Sequence, residues 1–148
     1  MIDLKPLAEF AVDVGAPLDL GLVDGVARRC IPITGGRATG AISGIILAGG
    51  ADWQSIVPSG ALEIAARYVI DVGDGLIEVE STGLRHGSSA VLAKLARGEA
   101  VPATDYYFRT AMRFRTASPM HLRLNALLGV ARGERRSGSV LLTVFEVI

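Results

Sequence analysis

Cysteine is nearly missing from this chain. Cys30 stands alone, which excludes an internal disulfide and any metal site built from several thiolates. A single thiol in an apolar stretch fits a reducing compartment. Histidine is as scarce. His86 and His121 are the only two, and neither lies at a ligand spacing from a second donor, so no metal is expected. Net charge is absent, because 15 basic residues balance 15 acidic ones. That argues against a nucleic-acid footprint and against a polybasic membrane patch. Long apolar runs are absent too. AISGIILAGGA is the longest, and it is too short to span a bilayer and is broken by glycine. MIDLKPLAEF carries no basic stretch ahead of an apolar core, so a cytoplasmic protein without signal peptide is expected. GGRATGA has no following Lys-Ser/Thr and is not a phosphate-gripping loop, and no glycine fingerprint joins a strand to a long helix. No nucleophile elbow is visible. No cofactor is expected.

What is present is strand. The 148 residues are 50% hydrophobic and 20% charged, enough to bury roughly 70% of the unfolded surface in one domain spanning 1–148. Period-two runs recur. EFAVDV sets Phe10, Val12 and Val14 against Glu9, Ala11 and Asp13. ALEIAARYVIDV puts Leu62, Ile64, Ala66, Tyr68 and Ile70 on one face. DYYFRTAMRFRT puts Tyr106, Phe108, Thr110, Met112 and Phe114 opposite Tyr107, Arg109, Arg113 and Arg115. About eight strands are predicted, near 6–14, 25–34, 40–48, 60–72, 75–83, 105–116, 121–132 and 138–148, with WQSIV as a short extra one. Asp74-Gly75 predicts a type I′ hairpin turn between two of them. SSAVLAKLARGE breaks the pattern with helical spacing, so one short helix is predicted near 88–97, capped by Ser88 or Ser89 and ended by Gly98. The expectation is an all-β fold, a closed antiparallel barrel that removes its sheet edges and has an interior wide enough for one small ligand. A two-sheet sandwich is the alternative.

Three clusters carry chemistry. In GGADWQ, Trp53 walls a barrel mouth and Asp52 sits partly dry, its carboxyl raised toward a range useful for proton transfer; or Asp52 caps a turn and Trp53 plugs the barrel. In GLRHG, Arg85 grips a carboxylate or enolate oxygen and His86 shuttles a proton; or the segment is a solvated loop. In DYYFRT with Arg67 and Tyr68, the hydroxyls of Tyr68 and Thr110 share the apolar face and need partners or a ligand. Tyr107, Arg109 and Arg67 have the opposite parity, where pairing of Arg67 and Arg109 with Glu63 and Asp71 on an outer wall, or a subunit contact, uses the same residues. Asn125 and Glu146 interrupt apolar strands and mark the lumen or a buried hydrogen-bond network.

IPITGGRATG (31–40), ILAGGADWQ (46–54), ARYVIDVGDG (66–75), GLRHG (83–87), YYFRT (106–110), Phe114, Leu124-Asn125 and the terminal VFEV occur in one order along the chain. Together they resemble uncharacterised protein family 0311, the domain of unknown function 3237. The resemblance implies a single-domain antiparallel β-barrel that is often oligomeric. Its recurrent polar positions map onto Asp52, Trp53, Tyr68, Arg85, Tyr107, Arg109, Thr110 and Asn125. It implies no reaction.

The expected activity is therefore that of a small-molecule-binding barrel. As a cofactor-free enzyme it would isomerise, dehydrate or cyclise a small apolar carbonyl or aromatic metabolite. Asp52, Tyr68 and Arg85 are the expected catalytic groups. Trp53, His86, Tyr107, Phe108, Arg109, Thr110 and Asn125 are the expected ligand contacts. A binding module without turnover and a solid-core scaffold are the alternatives. The expected partners are a small-molecule ligand and a second copy of the chain, as a dimer.

Overall fold

The computed structural model describes residues 1–148. Its strands are β1 (Leu4–Val14), β2 (Leu18–Val23), β3 (Val26–Gly40), β4 (Gly44–Ile46), β5 (Ala51–Ile56), β6 (Leu62–Asp71), β7 (Leu76–His86), β8 (Tyr107–Thr116), β9 (Gly129–Arg136) and β10 (Ser139–Val147). Every pairing is antiparallel. β4 and β5 both lie between β3 and β6, so they act as two halves of one stave. The result is a closed eight-stranded antiparallel barrel. β1 closes it, pairing with β10 on one edge and with β3 on the other.

The alternation read from the sequence sets the inward faces. Phe10, Phe114, Ile70, Ile77, Ile46 and Val144 are fully or almost fully buried and fill one end of the barrel. Tight packing needs small residues as well as large ones. Gly133 faces the ring of Phe108, and a Cβ there would stand 2.5 Å from it. Glycine at that position lets the ring lie across the lumen.

The helix forms as predicted. α1 (Ser89–Ala96) starts where the Ser88 hydroxyl accepts the Val91 N–H at 3.2 Å and stops before Gly98, whose φ is +74°. Leu95 is its buried residue and docks it on the core. No helix is long and apolar enough to cross a membrane.

Five details differ from the sequence reading. The predicted strand over 121–132 begins only at Gly129, because Pro119–Ala126 winds as a 3₁₀ segment with proline in its first turn. Asn125 there substitutes for a neighbouring strand: its amide accepts the Thr116 N–H at 2.8 Å and donates to the Thr116 carbonyl at 2.9 Å. β2 is an additional strand: LDLGLV alternates leucine with Asp19, Gly21 and Val23, but its leucine face is exposed and does not pack on the core. The type I′ Asp-Gly turn exists, but at Asp24-Gly25, where φ is +50° and +79° and Val23 pairs with Val26. At 72–75 the positive φ falls on Gly73 instead, and the Asp74 carboxylate accepts the Ser118 hydroxyl at 2.6 Å. Finally, WQSIV belongs to a full strand, β5, that starts at Ala51. GLRHG likewise continues β7 rather than forming a loop.

Candidate functional site

β5 places Asp52 and Gln54 inward and Trp53 outward. Asp52 lies opposite Ala66, two residues from Tyr68 on the same face of β6. β8 adds Phe108 and Thr110, and β7 adds Ser81. Asp52, Tyr68, Ser81, Phe108 and Thr110 line one slot of about 50 Å³ inside the barrel. Above it a second recess of about 220 Å³ opens between Pro17, Arg29, Arg85, Arg135, Gly138 and the end of α1 at Leu95.

Asp52 is held from two sides. Its Oδ1 accepts the backbone N–H of Ala65 at 3.1 Å and its Oδ2 accepts Gln54 Nε2 at 2.6 Å. Gln54 Oε1 in turn accepts Arg29 Nε at 2.6 Å, so a chain of hydrogen bonds joins the carboxylate to the recess. Burial drives the Asp52 pKa above the usual carboxylate range. The Gln54 and Ala65 hydrogen bonds and the charges of Arg29 and Arg85 only partly oppose that. Burial also drives the Tyr68 hydroxyl far up, helped by the Asp52 charge, so it stays a neutral donor. Tyr68 OH and Thr110 Oγ1 are buried with no hydrogen-bond partner in the protein. Native interiors rarely leave such groups unpaired.

Asp52 sets a pH dependence. A carboxyl whose folded pKa is raised stabilises the fold below its unfolded value, and that stability is lost as pH rises through the folded value. Relative to the native protein, Asp52→Asn should therefore gain stability as pH increases from about 4 to neutrality. Paired urea titrations across that range check it, and a parallel pH profile for the two proteins contradicts it.

The other expected contacts fall elsewhere. Trp53 is half exposed on the outer wall and is no gate to the lumen, because strand alternation puts it opposite Asp52 and Gln54. His86 stacks on Tyr107 at 4.8 Å, and the Arg109 guanidinium lies 5.1 Å from the Tyr107 ring centre, also outside. Asn125 ties off a strand end as described. Arg67 pairs with Glu80 at 3.0 Å and Glu78 at 3.4 Å rather than with Glu63 and Asp71. Glu146 pairs with Arg123 at 3.0 Å. Asp74, Ser118 and His121 do meet, but Ser118 is fully buried and its hydroxyl bridges the carboxylate and the imidazole, which makes it a pin and not a nucleophile.

Four residues of the site were not legible as such: Arg29, Gln54, Ser81 and Arg135. Arg29 had a signal, since it alternates in phase with Ile31 and Ile33. Arg135 sits in ERRSG, which reads as a turn.

The profile of a family described as a protein of unknown function, DUF3237, matches residues 2–147. The chain belongs to the DUF3237 family. Among curated DUF3237-like relatives, the UPF0311 protein RPA1785 of Rhodopseudomonas palustris is 36% identical, with 99% of this chain and 97% of that protein covered. The crystal structure of RPA1785 superposes with a TM-score of 0.93 at 35% identity, covering 100% of this chain and 98% of that one. A β-barrel-like protein of Acinetobacter baumannii matches with a TM-score of 0.85 at 39% identity, covering 100% and 97%. An enzyme of Penicillium herquei matches with a TM-score of 0.73 at 17% identity, covering 99% and 95%; at that identity the likeness shows the fold alone.

Proposed function

We propose that the lumen is a small-molecule site in which Asp52 moves a proton on the ligand. The reaction class is a cofactor-free isomerisation, dehydration or cyclisation of a small carbonyl or aromatic metabolite. One observation carries the reading: two buried hydroxyls without partners, Tyr68 and Thr110, face the same slot as a carboxylate with a raised pKa. An acid and two neutral donors around one slot supply what proton transfer next to a carbonyl requires. Tyr68 is the donor for the developing oxyanion. Ligand pockets are commonly about 300–1,000 Å³, so the reacting end enters the slot and the rest of the molecule occupies the recess. A pure binding module would need no raised carboxyl, and that direction favours turnover over capture.

The test is mass spectrometry of small molecules released on denaturing protein purified from its host. A stoichiometric metabolite that Thr110→Trp excludes is the expected result. Preparations free of any such compound, together with a Tyr68→Phe protein that melts well below the native one, would reduce the slot to packing. A hydroxyl without a partner stabilises nothing, so Tyr68→Phe should keep or raise the melting temperature.

Self-association is part of the same reading. Leu18, Leu20, Leu22 and Val23 are exposed on the β2 arm, and a contiguous apolar patch supports a contact between copies. Sedimentation is expected to give a dimer that Leu22→Glu weakens. A monomeric native protein rejects this part.

A further inference from the structure

Three arginines line the recess above the slot: Arg29 from β3, Arg85 from β7 and Arg135 from β9. None of them has a carboxylate within salt-bridge distance, and unlike the unpaired cations on the outer wall these three are drawn together around one recess. The remaining charged groups of the recess are already engaged. Glu99 takes Arg97, and Arg136 takes Glu134 at 3.2 Å. Asp52 is spent on Ala65 and Gln54.

Two of the three guanidinium groups are fixed in place by neutral acceptors. Arg29 Nε donates to Gln54 Oε1, and Arg135 Nη1 donates to the carbonyls of Arg136 and Ser139 at 2.8 and 3.0 Å. Carbonyl and amide oxygens orient a guanidinium without cancelling its charge. The third, Arg85, has a buried Nε with no partner at all. All three side chains are half-buried, and arginines taken part-way out of water are ordinarily paired, because an unpaired desolvated charge is costly. Burial weakens the hold of all three groups on their protons, repulsion from neighbouring arginines adds to it at Arg29 and Arg85, and Arg85 falls to about 10.

From this juxtaposition we infer that Arg29, Arg85 and Arg135 form an anion subsite that grips a carboxylate or phosphate on the ligand whose reacting end lies at Asp52. The inference rests on the lumenal reading above and adds the substrate class, an anionic one. The planar fork of arginine matches both head groups with two parallel hydrogen bonds. The arrangement also explains the tolerated repulsion. An arriving anion neutralises it, so affinity is gained where stability is given up. Arg85, with the unused Nε, is the principal contact. Arg29 relays the charge through Gln54 to Asp52.

The test is calorimetric titration of the full chain with benzoate, phenyl phosphate and neutral benzyl alcohol. Native protein should bind at least one anion about tenfold or more tighter than the alcohol, and the tighter of the two anions assigns the head group. Arg85→Met should abolish that preference, leave the alcohol unchanged, and raise the melting temperature of the free protein. Arg135→Met should do the same to a smaller extent. Equal affinity for charged and neutral probes overturns the inference. So does Arg85→Met that melts lower and binds anions as before, which is the behaviour of a structural arginine, and so does failure of every probe to bind at millimolar concentration. The lumenal reading is scored separately by Ala66→Leu, which fills the slot. If that folded variant binds benzyl alcohol undiminished, the slot is not the ligand site, whatever the anions do.

Discussion

Asp52→Asn should lower kcat for the lumenal ligand by about 10²–10⁴-fold, with KM nearly unchanged. The amide has the shape of the carboxylate, and its oxygen still accepts the Ala65 N–H that the native Oδ1 accepts. It cannot take up a proton. An interaction lost only in the transition state appears in kcat and not in ground-state binding. Native kcat/KM should also fall as pH drops through the raised Asp52 pKa, because the protonated acid no longer serves as base. Steady-state kinetics on the metabolite recovered from the protein measures both. Unchanged turnover in the asparagine variant would remove Asp52 from the chemistry and leave a binding pocket.

Phe114→Ala should destabilise the barrel by about 3–5 kcal/mol, measured by urea denaturation. Phe114 is fully buried, and its ring lies so near Gly129 that a Cβ there would stand 3.2 Å from it. The backbone at that end is a hydrogen-bonded ring and cannot collapse inward to fill the hole, so the loss should fall toward the upper end of that range. Against a total stability of about 5–15 kcal/mol, the variant keeps little margin. Tyr68→Phe provides the contrast. Both side chains are deeply buried aromatics, yet the second substitution removes only an oxygen with no partner. One ring holds the fold, and the other carries a buried hydroxyl without a partner in the protein. A loss below about 1 kcal/mol for Phe114→Ala would mean that the closed end relaxes freely.

Alternation made most of this barrel legible. The inward set of β6 and β8, from Leu62 to Ile70 and from Phe108 to Phe114, follows from period two alone, and so does the place of both Tyr68 and Thr110 on the lumenal side. Where a strand has one apolar face, its sequence reports which way each side chain points. β2 escapes that rule because neither face is covered. The lining of the candidate site was half legible. Asp52, Tyr68, Arg85, Phe108 and Thr110 line the slot and recess, whereas Trp53, His86, Tyr107, Arg109 and Asn125 do not. Trp53 misled because an indole beside a carboxylate reads as a pair, although neighbours along a strand point to opposite faces. Arg29 and Arg135 were missed for a related reason. A basic residue near a turn is ordinarily solvated, and only the meeting of three strands at one rim turns that pair into a recess with Arg85. Long-range register, which no local pattern encodes, decided it.

The seam between β1 and β10 has a consequence for how the chain reaches this form. Leu4 lies against Val147, and the backbones of Asp3 and Ile148 exchange hydrogen bonds at 2.9 Å. The ring is sealed by contacts of the greatest sequence separation the chain offers, and these are entropically the slowest to form. Until they do, β1 and β10 each present a bare, sticky margin to other molecules in the same half-finished condition. Lesions near either end of the polypeptide would thus show themselves first as clumping during synthesis, well before any loss of melting temperature in the finished molecule.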